Sequence, residues 1–304
     1  MIFLRLIRFP NLLVVALTQW LVASHILGMA FQQAGLASTL ASFELWLLIG
    51  ATVSLTAAGY AYNDLLDYPI DMINRSDKVI VGKQISTSSV CWIIAVLTFT
   101  GFFSSLMLAF LQKEVSWLWL YPLFACLLAW YPRFFKTRPF AGNLLIAGCC
   151  AGVTGLVWLA ERRVWQLLPD PFLAQVTYIL VLFMVYAFLA TWIREIIKDL
   201  EDRKGDQELG RQTLPVYWGV GGAKIVAWVL SLVLGLFLCS GILQLSAMNY
   251  QLPIAVLSFC LLVWLVILSR QLQQSNSPQM YHTISTQWKF FLLGGLLLLF
   301  FFKI

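Results

Sequence analysis

The chain is built from long apolar runs joined by short polar connections, and this pattern constrains its fold more than any other feature. A bilayer core about 30 Å thick needs roughly 20 apolar residues in a helix. Inside it every backbone polar group must be satisfied internally, which favours helices. Of the 304 residues, 61% are hydrophobic and only 11% are charged, against about 25% charged in soluble domains. The sequence therefore predicts an all-α, polytopic membrane protein.

The limits of the apolar runs predict about nine transmembrane helices in one domain, residues 1–304, without a soluble domain or an obvious repeat. The fourth run is short, and we expect it to be tilted or to end at Pro132. No small-residue cleavage site follows the first run, which we therefore interpret as a retained helix rather than a signal peptide. The predicted spans are 11–31, 41–62, 88–111, 117–131, 140–160, 171–193, 222–247, 251–269 and 288–303.

Several kinds of site find no support in the composition. The six cysteines fall in apolar runs without CxxC or zinc spacing, which favours buried apolar roles. With only two histidines, a haem or histidine-based metal site is poorly supported. The net charge of +6 is modest and indicates basic residues at a membrane surface, not nucleic-acid binding.

Acidic residues follow the second apolar run. Asn63, Asp67 and Asp71 are spaced i, i+4, i+8, which would align them along one face of a continuing helix. Asp64 lies off this face. Carboxylates in or near a bilayer are costly and often mark a functional site.

A second acidic stretch follows the sixth run. Asp199, Asp202 and Asp206 are spaced i, i+3, i+7, again one face if the helix extends that far. Two such faces need a counter-ion where they meet, and Mg²⁺ typically binds one or two carboxylates together with substrate phosphates. The pair therefore suggests a Mg²⁺–diphosphate site. A solvated acidic surface is the alternative.

The basic residues predict the orientation of the chain. If the N-terminus is cytoplasmic, the outer segments hold Lys113, Arg162, Arg163 and Lys303, and the other sixteen of the 20 lysines and arginines lie inside. This bias places the N-terminus in the cytoplasm. The same orientation puts both acidic stretches on the cytoplasmic side, although they were not used in the count.

Other polar residues near the predicted inner helix ends are candidates for substrate binding. Each also has a simpler interpretation as a topology determinant, a helix cap or a structural pair. Cations beside an acidic metal site are expected if an anionic diphosphate lies between them. The candidates are Arg8, Asn11, Lys78, Tyr131, Lys136, Arg138, Asn143, Arg194 and Lys198.

The motifs resemble those of the UbiA superfamily of intramembrane prenyltransferases. Asn63-x₃-Asp67-x₃-Asp71 matches the family's first motif, the stretch from Asp199 to Asp206 matches its second, and Tyr131, Lys136 and Asn143 are similar to a segment between helices four and five. The resemblance covers the whole chain. It implies a UbiA-like bundle in which the six Asn and Asp residues of the two motifs bind Mg²⁺, as two ions bridging an isoprenyl diphosphate.

The second motif, followed by Thr213-Leu214-Pro215, looks most like the geranylgeranylglycerol-phosphate geranylgeranyltransferase branch. In place of the Arg-Pro-Ile-Pro-Ser-Gly of many relatives stands Asp77-Lys78-Val79-Ile80-Val81-Gly82, which keeps a cation but loses the prolines. The resemblance implies prenyl transfer to a lipid hydroxyl in a bacterial or archaeal-type cell membrane. Two alternatives stay open at this point: an aromatic acceptor from quinone or chlorophyll pathways, and a cation-binding membrane transporter.

Overall fold

The computed structural model describes residues 1–74, 77, 79–247 and 252–302, with the side chains of 242–247 left out. Within these residues the chain is helical and forms no β-strand beyond one isolated bridge between Val81 and Ile85. The helices are α1 (Ile2–Leu6), α2 (Phe9–Gln33), α3 (Ser42–Leu66), α4 (Tyr68–Asn74), α5 (Thr87–Gln112), α6 (Ser116–Trp130), α7 (Ala141–Ala160), α8 (Arg162–Trp165), α9 (Asp170–Glu208), α10 (Leu214–Tyr217), α11 (Gly219–Ala247), α12 (Leu252–Gln274) and α13 (Pro278–Leu298).

The predicted all-α membrane bundle is confirmed. Each of the nine predicted apolar runs forms a helix, and in the described part of the chain eight helices are long and apolar enough to cross a bilayer. The other is α6, the fourth run, which has 15 residues and passes directly into a five-residue π-helical segment, Tyr131–Phe135. The α-helix of this span therefore ends at Trp130, just before Pro132, as expected, and the chain continues as the π-helical segment.

Helix α9 is the centre of the bundle. It has 39 residues and packs against α7, α11 and α13, with α4 resting on its C-terminal part. Its inner face is apolar and buried, including Ile179, Ile193 and Ile196. The sixth predicted span ended at residue 193, but helical bonding continues through the second acidic stretch to Glu208. Asp199, Asp202 and Asp206 thus lie on a helix, as their spacing required.

Helix α3 ends sooner than the first acidic motif requires. Leu66 is its last residue, Asp67 is the cap with φ −83° and ψ −3°, and α4 begins at Tyr68. Pro69 explains the interruption, because it has no N–H to bond the preceding turn and its ring crowds that turn. Asn63 and Asp67 still lie one turn apart, but Asp71 belongs to a separate helix. The expectation of one continuous face over all three residues is therefore wrong.

The end of the bundle opposite the acidic motifs is stabilised by one buried carboxylate. Glu161, only 1% exposed, follows α7 and accepts hydrogen bonds from the backbone N–H groups of Thr39 and Leu40, each at 2.8 Å, and from the Ser38 hydroxyl. These bonds fix the connection between α2 and α3. Buried donors left without an acceptor cost about 1–3 kcal/mol each.

We expect Glu161→Ala to lower the thermal unfolding temperature of the detergent-solubilised protein, because it leaves these donors without their acceptor. Glu44→Ala is a matched control at the same end, where Glu44 lies half-buried in the first turn of α3. Equal unfolding temperatures for the two variants would contradict this role of Glu161.

Candidate active site

Both acidic stretches meet at the end of the bundle opposite Glu161. The C-terminus of α3, helix α4 and the last third of α9 converge there with the connections that follow α6 and α9. Asn63 donates from Nδ2 to Asp67 Oδ2 at 2.6 Å. The one-turn spacing predicted from the sequence therefore produces a direct contact.

Asp67 is the most heavily paired carboxylate of the site. It is 5% exposed, and it accepts from Lys136 Nζ at 2.5 Å and from Arg211 Nη1 at 2.9 Å. Burial alone would raise the pKa of the Asp67 carboxyl, but the two cations hold that pKa below its ordinary value. Burial likewise disfavours the Lys136 cation, yet Asp67 raises its pKa above the ordinary value. Asp67 and Lys136 are thus both charged at neutral pH.

The acids of the second stretch have different partners. Asp199 accepts from Asn143 Nδ2 at 2.9 Å. Asp206, only 1% exposed, accepts from the Thr213 hydroxyl at 3.2 Å and lies 3.9 Å from Arg211 Nη1. Arg211 therefore stands between the two acidic stretches and contacts a carboxylate of each.

Helix α4 is fixed to α9 through Asn74. Its Nδ2 donates to the carbonyl of Asp202 at 3.1 Å, and its Oδ1 accepts from the N–H of Gly205 at 3.0 Å. A Cβ at Gly205 would lie 2.7 Å from the Asn74 amide nitrogen. The glycine therefore allows the close approach that holds Asp71 on α4 beside the second stretch.

Two orphaned oxygens make the site suitable for a hard cation. Asn63 Oδ1 and Asp206 Oδ1 are buried and have no hydrogen-bond donor, although buried polar atoms are nearly always satisfied. They come from different motifs, and carboxylate and amide oxygens are typical Mg²⁺ ligands. Among the described residues, no three His, Cys, Asp or Glu side chains already form a metal cluster. The donor chemistry thus fits a metal shared with a phosphate ligand better than a cage made only of protein groups.

A second polar group occupies the side of the site formed by α2 and α9. Arg8 donates to Asp64 Oδ1 at 2.7 Å and lies over the ring of Tyr60, 4.7 Å from its centroid. Tyr60 also accepts from Asn11 at 3.4 Å. Asp64, which lies off the predicted acidic face, is therefore the partner of Arg8.

Glu195 is buried between Arg194 and Lys198, with contacts of 3.0 and 2.9 Å. Tyr131 is close to both this group and the acidic stretches, since its phenol interacts electrostatically with Glu195, Asp199 and Asp67. The polar residues around Arg8 and Glu195 are consequently neighbours of the acidic stretches and not an independent site.

An apolar cavity opens among α3, α5, α6 and α7 below the acidic stretches. Leu128, three residues before Tyr131, marks its end nearest the site. Thr56 lies about 16 Å along α3 from Asp67 at 1.5 Å per residue. Aliphatic and aromatic side chains, among them Leu55, Leu108 and Phe124, line most of the wall.

The structure brings together most of the residues selected from the sequence. Lys78 lies outside the described residues, and Arg138 is exposed two residues beyond the paired Lys136. Sequence reasoning assigned no role to Arg211 or Asn74. A basic residue just after the second acidic motif was the available signal for Arg211, whereas no pattern in the sequence marked Asn74.

The fold and the site define an intramembrane enzyme-like bundle with a polar end and an apolar interior. The model of the UbiA prenyltransferase family matches residues 21–294. The chain belongs to this family.

Curated relatives include the digeranylgeranylglyceryl phosphate synthases of Haloquadratum walsbyi and Methanothrix thermoacetophila. The first is 35% identical over 59% of this chain and 57% of the relative. The second is 30% identical over 71% of this chain and 73% of the relative. The first match thus spans little more than half of that relative's length.

Solved structures share the fold. A digeranylgeranylglyceryl phosphate synthase structure is 20% identical with a TM-score of 0.65, covering 98% of this chain and 96% of the other. A UbiA homologue from Archaeoglobus fulgidus bound to DMAPP and Mg²⁺ is 17% identical with a TM-score of 0.54, covering 99% of this chain and 100% of the other. At these identities the likeness establishes the architecture alone.

We expect Gly205→Ala to weaken the attachment of α4 to α9, because the new Cβ would collide with Asn74. The measurement is the rate of limited proteolysis between α4 and α5, together with the unfolding temperature. Gly221→Ala is the matched control, since a Cβ there meets nothing within 4 Å.

A double-mutant cycle tests the contact itself. In an Asn74→Ala background, Gly205→Ala should cost clearly less than it does alone, since the collision partner is gone. An additive result would mean that Gly205→Ala acts elsewhere.

Proposed function

We propose that this protein transfers a prenyl group from an isoprenyl diphosphate to the hydroxyl of a geranylgeranylglycerol-phosphate-type lipid, with release of diphosphate. The observation that carries the proposal is the convergence of two acidic stretches and two half-buried cations at one end of a bundle whose interior holds an apolar cavity. Family membership supports the reaction class. The names of the curated relatives support the lipid acceptor.

The two motifs would hold Mg²⁺ through Asn63, Asp67, Asp71, Asp199, Asp202 and Asp206. The orphaned oxygens of Asn63 and Asp206 support this assignment. When bound, the metal would supply electrostatic stabilisation of the charge that develops on the departing diphosphate.

The cations beside the acids complete the diphosphate site. Lys136 and Arg211, now balanced by carboxylates, would donate to the phosphate oxygens, and Arg138 and Lys78 would add positive charge. Tyr131 would donate a hydrogen bond from its phenol. Such charge-assisted donors favour the transition state because they act where negative charge accumulates.

The apolar cavity would hold the prenyl tail of the donor. Leaving-group departure gives the allylic carbon carbocation character, and water would quench it. A wall of aliphatic and aromatic side chains keeps water from this carbon until the acceptor hydroxyl attacks. The bias of basic residues supports a cytoplasmic location for the diphosphate end.

The test is a reaction of the purified protein in nanodiscs with Mg²⁺ and geranylgeranyl diphosphate, with products identified by mass. Geranylgeranylglyceryl phosphate and 4-hydroxybenzoate are offered in separate reactions. A Mg²⁺-dependent ether lipid supports the proposal. An aromatic product keeps the reaction class and rejects the lipid acceptor. If neither product forms and Mg²⁺ binds equally well without the diphosphate, a cation transporter is the better assignment.

We expect Asp67→Asn and Asp202→Asn each to reduce turnover about 100-fold or more, the usual effect of removing an electrostatic contributor to the transition state. The measurement is the initial rate of ether-lipid formation, with thermal unfolding to verify folding. Asp170→Asn, at the opposite end of α9 and exposed, is the matched control and should retain full activity. Near-normal turnover in both site variants would reject the metal assignment.

We expect Gly152→Phe to shift donor preference toward shorter prenyl diphosphates. Gly152 lines the cavity, and a Cβ there meets nothing within 4 Å, so a phenyl group can enter the space. Gly221→Phe is the control, because Gly221 on α11 is equally unobstructed and exposed but does not line the cavity. The ratio of kcat/KM for geranyl and geranylgeranyl diphosphate should rise only in Gly152→Phe. An unchanged ratio would place the tail elsewhere.

A further inference from the structure

A second cationic cluster lies at the same end of the bundle as the acidic stretches, on the side formed by α2, α9 and α13. Its members are Arg8, Arg194, Lys198 and Lys289. Arg194 and Lys198 are one turn apart on α9. Lys289 follows Trp288, whose indole N–H donates at 2.7 Å to the carbonyl of Ala190, one turn before Arg194, and the Lys289 ammonium interacts electrostatically with the other three cations. None of the four contacts Asp67, whose partners are Lys136 and Arg211.

The four cations of this cluster outnumber the carboxylates that contact them. Arg194 and Lys198 share the single carboxylate of Glu195, and the Arg194 Nε–H is buried without an acceptor. Among the described residues Lys289 forms no ion pair within 4 Å. The nearby Glu201 is hydrogen-bonded to His282 at 2.9 Å. Positive charge and donor capacity therefore remain unmatched, unlike in the acidic site.

The cluster lies beside lipid-facing surface. Phe9 and Phe290, the chain neighbours of Arg8 and Lys289, are 40% and 57% exposed. Apolar residues exposed on a membrane-spanning bundle face acyl chains, whereas a lysine within a span, such as Lys289 midway along α13, extends its ammonium toward polar partners. A ligand that matches both features has an anionic head and an apolar chain.

We propose that Arg8, Arg194, Lys198 and Lys289 bind the phosphomonoester of the lipid acceptor, in a subsite separate from the donor diphosphate. The inference rests on the proposed function and specifies how the acceptor is recognised. Tyr131 interacts electrostatically with Glu195 and Arg8 and also with Asp67 and Asp199, so the cluster and the acidic stretches are neighbours. A phosphate bound at the cluster would therefore keep the acceptor close to the donor diphosphate.

The headgroup of a bulk anionic phospholipid offers related chemistry, so the experiment separates the two sources. Steady-state rates are measured with geranylgeranylglyceryl phosphate and with its dephosphorylated alcohol, in nanodiscs of neutral lipid and again with anionic lipid added. Binding of each acceptor is measured independently by the shift in unfolding temperature of the detergent-solubilised protein.

The variants are Lys289→Met, with Lys289→Arg as the conservative replacement and Lys204→Met as the control. Lys204 is exposed near the end of α9. Lys289 is preferred to Lys198, because removing Lys198 would also take away one of the two cations that pair with the buried Glu195.

We expect Lys289→Met to raise KM for the phosphorylated acceptor about tenfold, the usual effect of losing one charge-assisted hydrogen bond. KM for the alcohol and for the donor should stay unchanged, Lys289→Arg should restore affinity, and Lys204→Met should have no effect. The stabilisation by the phosphorylated acceptor should decrease in parallel.

Equal changes for both acceptors would overturn the proposal, as would no change for either. An effect present only with anionic nanodiscs would assign the cluster to bulk lipid instead. If wild-type protein forms ether lipid while Lys289→Met leaves the ratio of the two KM values intact, the subsite is wrong and the proposed function stands. If wild-type protein forms no ether lipid and is not stabilised by the acceptor, both fail.

Discussion

The carboxylate of Asp67, held between Lys136 and Arg211, is the interaction on which the polar end of this bundle depends. It joins the end of α3, the connection after α6 and the connection after α9, three segments that are distant in sequence. A buried charge without partners is very costly, so these connections cannot separate without exposing or neutralising it. The ion pairs therefore fix the relative positions of the helices that carry the two motifs. The hydrogen bond between Asn74 and Gly205 adds a neutral contact at the same end of the bundle.

The separation of polar and apolar parts follows from the same helices. α3 contributes Asn63 and Asp67 at its end and Leu55 to the cavity, about three turns before Asp67. One rigid element therefore sets the distance between a charged group and an apolar chain bound in the cavity. Helix α9 carries both kinds of charge. Asp199 and Asp206 lie on one part of its surface, and Arg194 and Lys198 lie on another. Anionic and cationic functions thus occupy different sides of one end of the bundle, with Tyr131 between them.

The apolar runs were sufficient to predict the bundle, because the length needed to cross a bilayer leaves few alternatives. Helical spacing was sufficient to predict the contact between Asn63 and Asp67 and the common helix of Asp199, Asp202 and Asp206. It failed at Asp71, where Pro69 interrupts the helix. Which cation meets Asp67 could not be predicted. Lys136 and Arg138 differ by two positions, and the π-helical turn after α6 decides which one points inward. Arg211 and Asn74 act through contacts across more than 100 residues of sequence, and such contacts depend on packing that no local pattern contains.

The length of α9 affects how reactants reach the site and how products leave it. Its 39 residues extend about 58 Å, nearly twice the roughly 30 Å of a hydrocarbon layer, so an upright α9 carries its acidic turns out among the headgroups. Hydrophilic ions and released anions can then exchange directly with the aqueous phase, while hydrocarbon chains stay dissolved in the membrane and arrive laterally. A protein with this geometry needs no channel across the membrane and no alternating opening to its two sides. Each reactant stays in its own phase, water or lipid, and meets the others only at the interface between them.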